Sequence, residues 1–359
     1  MRVLIVDDSS FMRKAIASML AEDPAITIVG QASDGEQGLK LARELAPDVI
    51  TLDVEMPRMD GLTALRRIMT ECPTHVLMFS SLTTDGSHAA MTALKLGAAD
   101  VMAKDASQIS FSIMNLKEDL LARVRALAAS RKPVARSLRS QDAALAQSPP
   151  SFRPGQFELI CIGSSTGGPP VVERIVSGLP ARIGAPIVIA QHMPELFTRS
   201  MTERLAQCCL MPVVHASDGM TLERDRIHIA PGGMNTHIRR TAGHLTLRID
   251  REPAGTRYYP SVDALFSSAA EAAGSRTLAI VLTGMGDDGS RGAARIKDAG
   301  GIILAQNEQT CVVYGMPRAV HVHGLSSATI PPESILAAIR TLSTSASAPA
   351  SSVPLARTR

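Results

Sequence analysis

Strand-like apolar runs trade places with helical segments along almost the whole chain, and no other feature narrows the choice of fold as far. In the first part "VLIV", "ITIVG", "DVITLD", "HVLMFS" and "ADVMA" are separated by stretches with helical spacing. A parallel connection needs a dozen or more residues, commonly a helix, so this alternation predicts a parallel sheet wrapped by helices. Asp34 before "GEQGLKLARELA" is placed to cap a helix, and Pro47 stops that helix before the third strand. From about Ala126 the pattern decays into "SRKPVARSLRSQDAALAQSPPSFRPGQ", too rich in Ser, Pro and Arg to offset the entropy of ordering. A second alternation runs through "FELICIG", "APIVIAQH", "DRIHIAPGG", "HLTLRID", "TLAIVLTG" and "GGIILAQ" before "SASAPASSVPLARTR" closes the chain as a disordered tail.

Two alternations in 359 residues, with 45% hydrophobic content, predict two domains with separate cores. Aromatic residues are only 3% and Trp is absent, so aliphatic side chains and most of the 17 Met must fill those cores. The chain enters "RVLIVDD" directly, without an apolar segment long enough for export or a membrane span, so a cytoplasmic protein with no membrane insertion is expected. Five cysteines (Cys72, Cys161, Cys208, Cys209, Cys311) without C-x-x-C spacing fit reduced thiols better than disulfides or zinc. The net charge of +3 is concentrated in the segment 131–155, with five Lys or Arg against one Asp, and in Arg357 and Arg359 of the tail. The remainder is slightly acidic and shows no basic face interleaved with aromatics, which argues against nucleic acid as a partner.

Asp7 and Asp8 end the first strand and Asp53 ends the third. In an open parallel sheet ligands collect beyond the carboxyl ends of the strands, so adjacent first and third strands bring these acids together. Three such carboxylates repel one another, and a hard divalent cation relieves the repulsion. An Asp pair alone is more often a solvated loop or a cap; Asp53 reverses that balance. Ser80 after the fourth strand and Lys104 after the fifth add a hydroxyl and a cation to the same rim.

The elements "VDDSSFMRKAI", "LDVEMPRMDGL", "FSSLT" and "ADVMAK" together resemble a response-regulator receiver domain. The resemblance implies a flavodoxin-like, five-stranded parallel sheet in which Asp53 takes a phosphoryl group from a histidine kinase. It further implies that Asp7, Asp8 and Asp53 hold Mg²⁺, with Ser80 and Lys104 contacting the phosphate. Asp105 stands after Lys104 where that family usually has Pro.

In "LICIGSSTGGPP" Gly163 and Gly167 flank Ser165 as G-x-S-x-G. A dinucleotide fingerprint needs Gly where Ser165 stands and a Walker loop needs a Lys that is missing, which weakens a phosphate cradle. A strand feeding a glycine turn and a helix lifts a serine to the rim, but Ser and Thr before helices are commonly caps, so the motif by itself is weak. A nucleophilic serine needs a base, and the base an acid. His192 alone among the histidines directly follows an apolar strand; His228 has the alternation of a strand face, and His215, His237, His244, His321 and His323 read as surface or loop residues. "LTGMGDDG" offers Asp287 and Asp288, one of them solvent-facing, although "GDDGS" and "PSVDALF" around Asp263 also read as turns with helix caps.

The blocks "CIGSSTGGP", "AQHMP", "IAPGG", "PSVDALF", "VLTGMGDDGSRG" and "AQNEQTCVVYGMPRAV" resemble the catalytic domain of chemotaxis protein-glutamate methylesterases, the CheB family. With the receiver in front, the organisation this implies is a receiver over 1–125, a linker over 126–156, a doubly wound α/β methylesterase domain over 157–343 and a tail over 344–359. The resemblance assigns Ser165 as nucleophile, His192 as general base and Asp288 as orienting acid, with the backbone N–H groups of Thr166 and Met285 as oxyanion hole. It implies hydrolysis of glutamyl γ-methyl esters and deamidation of glutamine on methylated chemoreceptors, gated by phosphorylation, with no cofactor at the hydrolase site. "RYYPSVD" and the lengthened "APGGMNTH" depart from the family pattern where substrate contacts are expected.

Overall fold

A computed structural model of the chain describes residues 1–104, 112–130, 149–252 and 258–343. Asp105, the central stretch of the expected linker and the expected tail lie outside the described residues.

The first half runs β1 (Arg2–Val6), α1 (Ser10–Ala21), β2 (Thr27–Ala32), α2 (Gly35–Leu45), β3 (Val49–Asp53), α3 (Gly61–Glu71), β4 (His75–Ser81), α4 (Thr84–Leu96), β5 (Asp100–Lys104) and α5 (Ser112–Ala129). Its five strands form one parallel sheet in the order β2-β1-β3-β4-β5. Helices on both faces bury β3 fully and β4 but for its last residue, which is why these central strands read as largely apolar runs, while the edge strand β2 is mostly half-exposed. Asp34 caps α2 by accepting the N–H of Gln37, and the helix ends at Ala46 in the left-handed region, just before Pro47.

The second half runs β6 (Leu159–Ser164), α6 (Gly168–Ser177), β7 (Ile187–Gln191), α7 (Glu195–Cys208), β8 (Val213–His215), β9 (Ile227–Ile229), β10 (Asn235–Thr241) and β11 (His244–Asp250). It continues through α8 (Val262–Ala273), β12 (Thr277–Val281), α9 (Ser290–Asp298), β13 (Ile302–Gln306), α10 (Met316–Val322), β14 (Ala328–Ile330) and α11 (Pro332–Arg340). Seven parallel strands are ordered β14-β13-β12-β6-β7-β9-β8. The chain leaves β6 in one direction for β7 and later returns to its other side with β12. A crevice therefore opens beyond the carboxyl ends of β6, β7 and β12.

One element departs from the expected alternation. "HLTLRID" is β11, paired antiparallel with β10 in a hairpin apart from the large sheet, so His237 and His244 lie on strands. The reason is local: only Ala242 and Gly243 connect the two strands, both at positive φ, which suits a tight hairpin and is far too short for a parallel crossover. At the expected linker, residues 126–129 complete α5. Past its central stretch, Phe152 packs edge to face on Phe157 with ring centroids 5.0 Å apart, and its N–H donates to the Thr341 hydroxyl.

The halves meet along α4 and α7. The buried hydroxyls of Ser87 and Ser200 lie 2.6 Å apart, and His88 faces Glu203 at 3.6 Å. Val313 from the second half is buried in a cluster with Met102, Leu120 and Val124 of the first, and Met285 and Val312 pack against it. Asp100, at the start of β5, accepts hydrogen bonds from Arg123 of α5 and from the hydroxyl of Thr166 across the interface.

Candidate active site

Ser165 and His192 each follow directly on a strand, and those strands are neighbours: β6 and β7 pair up to Ser164 and Gln191, and the His192 N–H then donates to the Ser164 carbonyl at 3.0 Å. The turn after β6 is fastened from the same side. Ser164 donates its hydroxyl to Gln191 Oε1 at 2.6 Å, while Gln191 Nε2 donates to the Ser165 carbonyl at 2.9 Å. Gly167 sits at φ +75°, in the region that glycine favours. Gly284 is needed for closeness: a Cβ there would stand 2.8 Å from the Ser165 Cβ.

The imidazole of His192 lies 2.8 Å from Asp288, through Nε2 and Oδ2. That carboxylate is itself held by the start of α8: the Val262 N–H at 2.7 Å, the Asp263 N–H at 2.9 Å and the Ser261 hydroxyl at 3.1 Å. Burial pushes the Asp288 carboxyl up, but the His192 hydrogen bond and charge and the α8 amides outweigh it and hold the group below its ordinary value. Asp263 returns the arrangement by accepting the N–H groups of Gly289 and Gly292, at 3.0 and 2.8 Å, at the start of α9. Asp287 faces solvent.

Because Nε2 donates to Asp288, Nδ1 is the basic nitrogen; it is buried and has no hydrogen-bond partner among the described residues. Neither does the Ser165 hydroxyl, so the expected relay is joined between His192 and Asp288 and unjoined between Ser165 and His192. The N–H groups of Thr166 and Met285 likewise donate to no acceptor among the described residues. A buried base with one nitrogen unspent, a hydroxyl at the neighbouring strand end and two unspent backbone donors suit attack on a carbonyl. All of this is enclosed, Ser165 being 5% exposed and His192 8%.

At the rim of the first sheet, ligand oxygens of Asp7, Asp8 and Asp53 lie within 4.8 Å of one another. Lys104 bridges Asp7 and Asp53 at 2.8 and 2.6 Å. Burial raises the Asp53 carboxyl to about 6 against the opposing hydrogen bond and charge of Lys104. Burial lowers the Lys104 ammonium, but the two carboxylates outweigh it and hold the group above its ordinary value. An oxygen-only donor set with one exposed and two buried carboxylates fits a hard divalent cation such as Mg²⁺. Ser80 lies on this rim with its hydroxyl donated to the Gly86 carbonyl at 2.7 Å.

Residues 160–339 match the family model described as CheB methylesterase, and residues 3–112 match that of the response regulator receiver domain. A protein-glutamate methylesterase/protein-glutamine glutaminase of Oleidesulfovibrio alaskensis is 44% identical over 353 residues, spanning 92% of this chain and 95% of the relative. The chain belongs to the CheB methylesterase family. A like-named relative of Geobacillus kaustophilus is 40% identical over 94% of the chain and 97% of its own length. The crystal structure of the Thermotoga maritima CheB methylesterase catalytic domain aligns with a TM-score of 0.51 and 36% identity, covering 52% of this chain and 99% of that one. Among the described residues of this CheB-family chain, no helix is long and apolar enough to cross a membrane.

Sequence reasoning passed over the groups that support these side chains. Gln191 and Ser164 are visible only as polar residues ending buried strands. Ser261 carried a signal, since a serine opening a helical run is a helix cap, but nothing in the pattern says that the helix start also grips Asp288.

Proposed function

We propose that the chain is a phosphorylation-controlled carboxylic ester hydrolase that removes methyl groups from glutamyl γ-methyl esters on chemoreceptors and deamidates glutamine side chains there. The observation that carries this reading is the buried His192–Asp288 pair with Nδ1 unspent, on the strand end next to the one that carries Ser165. Ser165 Oγ attacks the ester carbonyl carbon and gives its proton to His192 Nδ1. Asp288, fixed by α8, steadies the imidazolium through Nε2. The N–H groups of Thr166 and Met285 take the oxyanion. On collapse the C–O bond breaks, His192 returns the proton and methanol leaves. Water, deprotonated by His192, then cleaves the acyl-serine to give glutamate and Ser165. With glutamine the leaving group is ammonia, and proton return by His192 matters more. No cofactor enters these steps.

Control is assigned to the first half. Asp53 accepts the phosphoryl group of a histidine kinase, with Asp7, Asp8 and Asp53 as holders of Mg²⁺, which when bound neutralises the charge gathered there. Lys104 and Ser80 contact the phosphate. Turning Ser80 toward it gives up the Gly86 carbonyl at the start of α4, the helix that meets α7 through Ser87 and Ser200. A receiver lying over Ser165 holds the cleft shut; loosening α4 and β5 opens it. This division assigns 1–125 to control and 157–343 to catalysis, joined by 126–156, with the reaction in the cytoplasm where kinases act. Ser165→Ala tests the nucleophile: methanol release from methylated receptor membranes falls on the order of 10⁴-fold or more, with folding retained. Turnover near the wild-type rate would overturn the assignment.

A further inference from the structure

Tyr258 lies flat on the imidazole of His192, with ring centroids 4.4 Å apart and planes inclined by 10°. Its hydroxyl end reaches the turn after β12, where a Cβ added to Gly286 would stand 3.4 Å from Oη. One side chain thus spans the base and the turn that carries Met285 and Asp288. The hydrolysis assigned to Ser165, His192 and Asp288 gives Tyr258 no role.

Two contacts fix the imidazole: Asp288 in the ring plane at Nε2, and Tyr258 across one face. A single in-plane hydrogen bond leaves the ring able to rock about the Nε2–Asp288 line, which would change where the unspent Nδ1 points. A parallel ring against the face resists that rocking. It also presents an electron-rich surface to the imidazolium that forms as Ser165 loses its proton, in a site from which water is largely excluded. We propose that Tyr258 is a positioning residue for the hydrolysis, holding the His192 ring in its reactive plane and stabilising its protonated form through the ring face. The inference rests on His192 acting as the base for Ser165.

The test measures the acylation burst with p-nitrophenyl acetate on the whole chain with a small-molecule phosphodonor present. Tyr258→Phe keeps the ring face and should acylate within about twofold of wild type. Tyr258→Leu removes the face and should slow acylation by roughly fivefold to thirtyfold, the range an aromatic face gives a partly desolvated cation, with the half-saturating ester concentration changed less than about twofold. Pentafluorophenylalanine at position 258 keeps the bracing shape but reverses the charge distribution of the ring, and should be slowed, though less than Leu, even where the Leu variant folds poorly. Wild-type rates in the Leu or pentafluorophenylalanine variant would overturn the proposal, as would a loss in the Phe variant equal to that in Leu, which would assign the effect to the hydroxyl. Ser165→Ala run alongside separates the two readings. Persistent acylation there defeats the nucleophile assignment itself, whereas its loss together with an unaffected Tyr258→Leu counts against the ring alone.

Discussion

Replacing Asp100 with alanine removes the receiver carboxylate bonded to Thr166, the residue next to Ser165. A hydrogen bond to a charged group contributes about 1.5–3 kcal/mol, and because water takes up part of the bonding when the interface opens, the lower figure is the better guide. About 1.5 kcal/mol shifts the ratio of shut to open chains roughly tenfold. Arg123, which also bonds Asp100, keeps Asp119 at 2.9 Å, so its guanidinium is not stranded. If the shut form dominates without phosphate, basal methanol release should rise about tenfold. The phosphorylated rate, set by chains already open, should stay within about twofold, and the stimulation ratio should fall about tenfold. The assay is initial methanol release from methylated receptor membranes with and without acetyl phosphate. Asp100→Asn, which keeps an acceptor for the Thr166 hydroxyl but no charge, should fall between. A folded Asp100→Ala chain with an unchanged ratio would refute the idea that this contact helps hold the cleft shut.

Three further outcomes concern the buried His228 of β9 and the carboxylates of the receiver rim. His228 is fully buried and its pKa is lowered, chiefly by burial, to about 4. Between pH 4 and 6.5 the unfolded chain therefore binds more protons than the folded one, so the contribution of His228 is complete above about 6.5 and is lost as pH falls toward 4. Urea unfolding should show about 2 kcal/mol less stability from this group at pH 5 than at pH 7.5, and His228→Phe should lack that part of the slope. A variant with the wild-type slope would place the acid sensitivity elsewhere. For the receiver, Asp53→Ala should abolish stimulation by acetyl phosphate while leaving basal hydrolysis intact, and EDTA should do the same to the wild-type chain; stimulation that survives either treatment would contradict the Asp53 and Mg²⁺ assignments.

What the sequence revealed depended on whether the information was local. Asp53, Ser165 and His192 stand at the ends of apolar runs, and a polar residue at the end of a buried strand is visible in the string itself. The contact between Asp100 and Thr166 joins two residues far apart in the chain, each ordinary in its own neighbourhood, and no spacing rule links them. The stacking of Tyr258 on His192 is hidden for the same reason. The alternation in "HLTLRID" reads alike for an edge strand of a parallel sheet and for a hairpin arm; the two-residue connection at Ala242 and Gly243 was the signal that separates them. The motif left Asp287 and Asp288 open and only the family resemblance chose Asp288; its immobility was not readable at all, because the amides that hold it belong to a helix that begins some 26 residues earlier.

Asp288 grips the first turn of α8, and Asp263, within that turn, grips the first turn of α9, which Asp288 immediately precedes. The two carboxylates and two helices close a ring of mutual dependence with no outermost member. A substitution at Asp263, which is not bonded to His192, would be transmitted to the imidazole through the slackened α9 start, and neither acid could be exchanged in evolution without its counterpart feeling the loss. The steadiness of the His192–Asp288 pair is thus a property of a small architectural knot, not of one well-placed aspartate.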